Sequence, residues 1–287
     1  MAAPLLVVDT PSMLYRAFFG LPKTIKGPGG KPVNALLGTA NLVLREVEAH
    51  QPRAVVLCFG AEAAVYRVEL YGGYHADRPE MPELLVPQWE QSRQLFSAFG
   101  WQISEHETLE ADDLLGSLAD AETAAGGRTL IMTGDRDMFQ CASDDVTILY
   151  ASTGVRGTEA LGPDEVRARY GIDPAQVPDF IALRGDPSDG IPGAKGIGEK
   201  TAAGLLQRHG SLDAILADPL LDSTPRIRGV LKDSRDDLLA YREMATLQDA
   251  GVKRPPDSPT DWAAASEAAA EHGMNKLAER LAELAAK

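Results

Sequence analysis

The sequence predicts an α/β protein, a mostly parallel sheet with flanking helices, followed by an all-helical segment. Three observations carry that reading. The runs Leu5-Leu6-Val7-Val8, Val55-Val56-Leu57-Cys58-Phe59 and Thr129-Leu130-Ile131-Met132 are continuously apolar, as expected of strands covered on both faces. Helical patterns separate these runs, which is the order of a sheet built from β-α units. After about residue 162 the strand signals stop, and short helical patterns continue to the C-terminus.

Taken in order, residues 5–8 read as a strand, 34–48 as a helix, 54–59 as a strand, and 88–99 and 111–124 as helices. A strand over 129–132, a short helix over 136–140 and a strand over 146–150 complete the first part. Residues 20–33, rich in Gly, Pro and Lys, read as an exposed loop, and 61–87 as a second stretch with little periodicity; long loops in a compact domain are usually functional. Further on, 163–170, 174–183, 199–207, 212–216 and 235–247 read as short helices. A Pro-rich piece over 255–259 precedes an Ala-rich tail in which Leu277, Leu281 and Leu284 share one face, a stripe expected to pack on its own domain. The expected division is an α/β domain over 1–162 and a helical domain over 163–287.

At 287 residues, 44% hydrophobic and 24% charged, the chain has the composition of an ordinary globular protein and is too apolar for a disordered tail. No run reaches the roughly 18–20 consecutive apolar residues of a membrane span. The N-terminus has no basic leader and breaks its apolar run at Asp9, which argues against a signal peptide and for a cytoplasmic, membrane-free protein. Cys58 and Cys141 cannot build a disulfide framework or a Cys-rich zinc site and read as buried thiols. The 42 acidic residues against 28 basic ones give a net charge of −14, which argues against a protein that coats a phosphate polymer.

The acids, however, are not spread evenly. Ligands of an open parallel sheet sit beyond the carboxyl ends of its strands. Asp9 follows the first apolar run there, and Asp135 and Asp137 follow the third. Glu110, Asp112 and Asp113 open the helix over 111–124, while Asp186 and Asp189 stand where the helical segment begins. Eight carboxylates converging on one cleft would repel one another unless cations neutralised them. With no His or Cys among them, an all-oxygen set suits Mg²⁺ or Mn²⁺ better than Zn²⁺, and a pair of such ions about 4 Å apart serves in-line displacement at phosphorus. Asp112 and Asp113 point in different directions from their helix, so one is expected to ligate directly and the other through water. Setting the eight acids aside leaves −6 for the rest of the chain.

The stretch 190–202, Gly-Ile-Pro-Gly-Ala-Lys-Gly-Ile-Gly-Glu-Lys-Thr-Ala, has four glycines and a proline in a tight turn ahead of a helix. Backbone N–H groups in such a turn can approach a phosphate closely, and the helix N-terminus points at the same place. Lys195 and Lys200 add charge without base discrimination, so the pattern is a phosphate grip. The spacing does not fit a Walker loop.

In this order, Asp9, Tyr66-Arg67 with Tyr71-Gly72-Gly73-Tyr74, Glu110-Ala111-Asp112-Asp113, Thr133-Gly134-Asp135-Arg136-Asp137 and Gly185-Asp186 running into the hairpin, the chain resembles the bacterial 5′-nuclease (flap endonuclease) family. That family includes the 5′→3′ exonuclease domain of DNA polymerase I, and the resemblance, over about residues 5–216 and with no polymerase segment, is to a free-standing member. It implies a PIN-like α/β domain followed by a helical domain with a helix-hairpin-helix variant, the hairpin lying at 190–198. By the resemblance, Asp9, Glu110 and Asp112 would hold a first metal and Asp135, Asp137 and Asp186 a second, with Asp112 shared and Asp113 and Asp189 contributing directly or through water. Asp112 and Asp135 would stand closest to the chemistry, with Arg67 contacting the scissile phosphate and His75 beside it. Tyr15 and Arg16 would lie near the active site and contact DNA, Tyr15 being read equally as a core-packing residue, and Gly193, Lys195, Gly196, Gly198, Lys200 and Thr201 would grip the duplex, with a K⁺ site on the hairpin carbonyls. The loops over 20–33 and 61–87 would clamp the single strand. The implied substrate is DNA with a 5′ flap or free 5′ end, or an RNA–DNA hybrid, acted on by a monomer linked to a DNA polymerase and ligase.

Two departures stand out. Where the family's second strand ends in Phe-Asp, this one ends Cys58-Phe59-Gly60, leaving the first metal short of one carboxylate. Where Lys usually follows the Tyr-Gly-Gly-Tyr block, His75 follows here, and an imidazole with a pKa of about 6.5 carries less charge at neutral pH. Both lead to an expectation of weaker metal binding and a preference for Mn²⁺, with Gly60→Asp as the test. The competing reading is a non-catalytic, branch-recognising DNA-binding protein, which eight retained acids disfavour.

Overall fold

A computed structural model describes residues 2–152, 157–218 and 223–287. The chain runs β1 (Leu5–Asp9), α1 (Thr10–Gly20), α2 (Asn34–His50), β2 (Ala54–Phe59), α3 (Val65–Leu70), α4 (Val86–Ser97), β3 (Gln102–Glu105), α5 (Ala111–Ala124), β4 (Thr129–Thr133), β5 (Val146–Tyr150) and β6 (Glu159–Leu161). Then come α6 (Pro163–Tyr170), α7 (Val177–Arg184), α8 (Glu199–His209), α9 (Leu212–Ala217), α10 (Pro225–Asp233), α11 (Arg235–Ala245), α12 (Trp262–Glu271) and α13 (Asn275–Ala285).

The sheet has the order β3-β2-β1-β4-β5-β6, parallel except for β6, which pairs antiparallel with β5. β1, β2 and β4 are buried throughout because both faces are covered. Alternation along β1 divides the core. Leu5 and Val7 face α5 and the helical segment, while Leu6 and Val8 face α1, α2 and α4. The strand order reverses beside β1 and β4, so their carboxyl ends open a crevice that holds Asp9 and the loop after Thr133.

Five elements depart from the sequence reading. β3 and β6 are short strands at the sheet edges and partly exposed, so neither carries an apolar run. α1 starts on an Asp9 cap that accepts from the Ser12 N–H at 3.1 Å, with Pro11 in its first turn. α3 lies inside the stretch over 61–87, and α10 is mostly exposed. The loop over 20–33 is exposed apart from its ends and holds only a short 3₁₀ turn, Pro28–Gly30.

Residues of α7, α8 and α11 pack against the α5 side of the sheet in the same core as Leu5 and Val7. α12 and α13 instead return to the opposite face, where Ala265, Ala269, Leu277 and Leu281 join Leu6 and Val8. The connecting strap is fixed by ions. Buried Glu122 accepts from Arg53 Nε at 3.0 Å and from Arg254 Nε at 2.9 Å, and Arg53 Nη1 donates to the Pro255 carbonyl at 2.9 Å. These two cations hold the Glu122 carboxyl below its ordinary value against the cost of burial.

Candidate active site

The acids of the crevice fall into two groups. Asp9, at the end of β1, accepts from Ser12 N–H and, through Oδ2, from the Thr133 hydroxyl at 2.8 Å across the β1–β4 pair. Burial raises its carboxyl despite those donors and the nearby charges of Arg16 and Arg78. Asp112, in the first turn of α5, is raised well above the ordinary range by burial and then by Asp135, Asp9 and Glu110. Asp135 sits in a turn made by its own N–H on Thr133 Oγ1 at 2.9 Å and by the Asp137 N–H on its Oδ1 at 2.9 Å. Burial, then Asp189, pushes Asp135 up to about 7. Asp137 is raised further, by burial and then by Asp135, Asp189 and Asp186, and its Oδ1 is buried without any hydrogen-bond partner. Arg16 and Arg78 lower Asp9, Arg67 lowers Asp112 and Arg184 lowers Asp137, but burial and the neighbouring acids outweigh them and the carboxyls stay raised.

The second group already has its cation. Arg67, in α3 and only 3% exposed, pairs through Nη1 with Glu110 Oε2 at 2.9 Å and through Nη2 with Asp113 Oδ1 at 3.0 Å. Glu110 also accepts from the Ala64 N–H at 2.7 Å and the Tyr74 hydroxyl at 3.1 Å. Asp113, fully buried, accepts from the Glu110 N–H at 3.1 Å and the Gln248 N–H at 2.9 Å. The expectation that Asp113 ligates a metal is therefore corrected. Its oxygens cap α5 and hold Arg67. Arg67 is likewise corrected as a phosphate contact, since every face of its guanidinium meets protein. Glu110 lies at the border, charged toward Asp112 yet satisfied by Arg67.

His75 is also placed differently from the expectation. Its backbone is left-handed at φ 52°, its ring stacks on Tyr74 with centroids 4.1 Å apart, and Nε2 lies 3.1 Å from Asp189 Oδ1. The imidazole ties its loop to Asp189 and does not present a free edge to a phosphate; its side chain is 6% exposed. Arg78, absent from the sequence reading, stands beside it, with Nη1 on the Glu62 carbonyl at 3.0 Å and its charge reaching Asp9. Its signal was its place four residues after Tyr74. Arg184, just before Gly185, pairs with Asp186 Oδ2 at 2.9 Å and moderates Asp137. Asp186 also accepts from the Ser188 N–H at 2.9 Å.

Arg16 reaches the Gly134 carbonyl at 3.5 Å beside the Asp135 turn. Tyr15 instead lies in an aromatic group with Phe19 and Trp89, at 6.4 and 6.3 Å. In the hairpin, Lys195, Gly196, Gly198 and Lys200 are exposed, with Thr201 donating its N–H to the Gly198 carbonyl at 3.0 Å. Gly193, at φ 67°, is structural: a Cβ there would lie 2.2 Å from Gly185 N, where the hairpin crosses the chain that carries Asp186. Arg226 of α10 lies beside Gly196, a neighbour that sequence reading missed because α10 was not foreseen.

Gly60 changes the meaning of the missing carboxylate. A Cβ at this position would fall 2.3 Å from the Glu110 carbonyl carbon and 2.4 Å from Ala111 N. The backbone at the start of α5 occupies the space that a side chain at 60 would need. Gly60→Asp therefore cannot restore a ligand without moving Glu110, and the proposed test is corrected on that ground. Among the described residues no three His, Cys, Asp or Glu side chains stand close enough together to hold an ion as placed. The donor chemistry nonetheless fits a hard divalent cation: all-oxygen ligands, carboxyls at Asp112, Asp135 and Asp137 raised by burial and by neighbouring acids, and the orphaned Asp137 Oδ1.

A crevice of repelling carboxylates at the switch point of a parallel sheet, with a glycine hairpin beyond it, defines the class as a nuclease. Residues 4–171 match the family model of the 5′-3′ exonuclease N-terminal resolvase-like domain, and 172–261 that of the 5′-3′ exonuclease C-terminal SAM fold. The chain belongs to the 5′-3′ exonuclease family. It is 36% identical to a Streptomyces coelicolor 5′-3′ exonuclease, covering 96% of this chain and 98% of that protein. A Mycobacterium tuberculosis 5′-3′ exonuclease is also 36% identical, with 90% and 86% covered. DNA polymerase I of Mycobacterium bovis is 35% identical over 88% of this chain, which spans 28% of the polymerase's length. In fold, the chain resembles the bacteriophage T5 D15 flap endonuclease in its pseudo-enzyme-product complex with DNA and metal ions, with TM-score 0.72, 16% identity, and 99% of this chain and 100% of that one covered. It also resembles the catalytic core of Rad2 with DNA substrate, with TM-score 0.60, 14% identity, and 97% and 90% covered. No helix among the described residues is long and apolar enough to cross a membrane.

Proposed function

We propose that the protein is a divalent-metal-dependent 5′→3′ exonuclease and 5′-flap endonuclease acting on DNA, and on RNA–DNA hybrids at primers. Water attacks the phosphorus and the 3′ oxygen leaves, so the products are a 5′-phosphate and a 3′-hydroxyl. The observation that carries this reading is the cluster of Asp9, Asp112, Asp135 and Asp137, whose carboxyls are all raised by burial, those of Asp112, Asp135 and Asp137 also by neighbouring acids. Such a group ionises fully only when a cation joins it. Asp135, Asp137 and Asp186 would hold one Mg²⁺ or Mn²⁺ ion, and Asp9 and Asp112, with Glu110, a second. Bound there, the metal supplies a water of lowered pKa and charge for the leaving oxygen.

The chain's own groups do the rest. Arg16 and Arg78, both within electrostatic reach of Asp9, orient the phosphate. The exposed Lys195, Gly196, Gly198, Lys200 and Thr201 edge grips the duplex backbone, with a K⁺ ion on the hairpin carbonyls. Residues 1–162 carry most of the metal ligands, and the segment from 163 adds Asp186 and the grip. A monomer working in the cytoplasm alongside a DNA polymerase and ligase suits that division.

A second reading, a branch-binding protein without activity, is favoured by one feature: Glu110 is already satisfied by Arg67, Tyr74 and Ala64. A 5′-labelled flap duplex incubated with Mn²⁺ or Mg²⁺ separates the two. Cleavage at the branch is expected, with Mn²⁺ the better metal; binding without cleavage under both metals sinks the enzyme reading.

A further inference from the structure

Three parts of the chain meet at Arg67. Its Nε donates to the Met244 carbonyl, in the last turn of α11, at 2.8 Å, while its two terminal nitrogens hold Glu110 and Asp113 at the start of α5. The residues around it repeat the link. The Tyr66 hydroxyl donates to the Thr246 carbonyl at 3.3 Å, and the Gln248 N–H, just past α11, donates to Asp113 Oδ1 at 2.9 Å. α3 and α5 belong to the α/β layer and α11 to the helical segment. The junction is buried, so it is fixed by geometry and not by loose surface charge.

We infer that Arg67 is a positioning residue that sets the first turn of α5, and with it Asp112, from the end of α11. Asp112 lies between the two acids Arg67 holds, so any shift of α11 against the sheet moves that carboxylate relative to Asp9 and Asp135. The placement of one cluster acid thus depends on how the helical segment is seated. In its relevance to catalysis the inference rests on the nuclease reading above; the placement itself does not.

Lysine separates this role from a phosphate contact. A phosphate accepts a point charge nearly as well as a guanidinium, whereas one ammonium on a flexible stem cannot replace a planar fork that serves three fixed acceptors. In Arg67→Lys, kcat on a 5′-flap duplex is expected to fall by about a hundredfold, the cost of a misplacement of about 1 Å, with KM unchanged. Affinity for the same duplex in EDTA, and its salt dependence, should stay at the wild-type level. Independently of activity, the Ala64 and Gln248 amides of the DNA-free protein should exchange hydrogen about tenfold faster. Tyr66→Phe, which removes only the hydroxyl shared by the Thr246 carbonyl and Asp113 Oδ1, keeps the test valid should Arg67→Lys fail to fold; the Gln248 amide should again exchange faster with flap affinity intact.

A wild-type-like Arg67→Lys, in cleavage and in amide exchange, overturns the inference. So does an Arg67→Gln variant that keeps its amide protection but loses flap affinity, with a salt slope lower by about one. A wild-type protein that cleaves nothing contradicts the nuclease reading alone, and the exchange result then decides the role of Arg67.

Discussion

Two groups of acids that meet at the first turn of α5 have different fates. Asp113 is held by Arg67 and is structural, and Glu110 shares that arginine; Asp9, Asp112, Asp135 and Asp137 have no ion-pair partner among the described residues, and burial raises all four. The same contrast holds farther off, where Glu122 sits between Arg53 and Arg254 with its carboxyl held low. A buried acid whose charge is fully answered by arginine, as in Asp113 and Glu122, belongs to the scaffold. A buried acid facing only other acids marks a place where an ion from outside completes the balance.

Neutralising one acid from each group should break the symmetry most visibly. Asp135→Asn is expected to reduce flap cleavage by about a thousandfold. It should raise the melting temperature of the metal-free protein by about 2–4 °C, because it removes repulsion. Asp113→Asn should do the reverse to the fold, costing about 3–5 kcal/mol in a denaturant melt by leaving Arg67 buried and half-paired. Equal destabilisation by both substitutions would erase the distinction.

Gly60→Ala sharpens the boundary between the groups. Its methyl collides with the start of α5, so a loss of about 1–3 kcal/mol is expected with no acid added or removed. Any change in metal dependence seen with Gly60→Asp must be compared with this variant. A stable Gly60→Ala would mean that the Glu110 backbone yields easily.

The smallest effect is in the pH dependence. A carboxyl raised in the folded state is protonated there while the unfolded chain has already lost its proton. Through Asp135, metal-free stability should therefore fall as pH rises from about 4 to about 7 and then level off. Glu122, held low, has the opposite sign: its contribution is present above about 4.5 and lost as pH falls. Urea melts across pH should show the first slope shrink in Asp135→Asn, Asp9, Asp112 and Asp137 still contributing in the same sense, and the second shrink in Glu122→Gln.

Much of this was legible in the sequence. The strands over Leu5–Asp9, Ala54–Phe59 and Thr129–Thr133 and the helix over Ala111–Ala124 follow from apolar runs, and the acids after β1 and β4 and at the start of α5 from position alone. α1 carried its own signals, Asp9 as a cap, Pro11 in the first turn and a stripe of Met13, Leu14, Ala17 and Phe18, but Asp9 was read only as a ligand. What the sequence could not disclose was pairing. Nothing local links Arg67 to Met244, or shows that the backbone of Glu110 fills the space beside Gly60, because both are contacts between segments far apart in the chain. The sequence position put these acids at one crevice, and only the fold showed which of them an arginine answers.

The acids of the crevice await a cation, and thermal melting of the DNA-free protein with increasing Mn²⁺ reads that occupancy. A saturable rise in melting temperature is expected in the wild type and in Glu122→Gln, and none in a protein carrying Asp135→Asn and Asp137→Asn together. A wild-type melting temperature indifferent to Mn²⁺, or a rise that survives the double substitution, would contradict it.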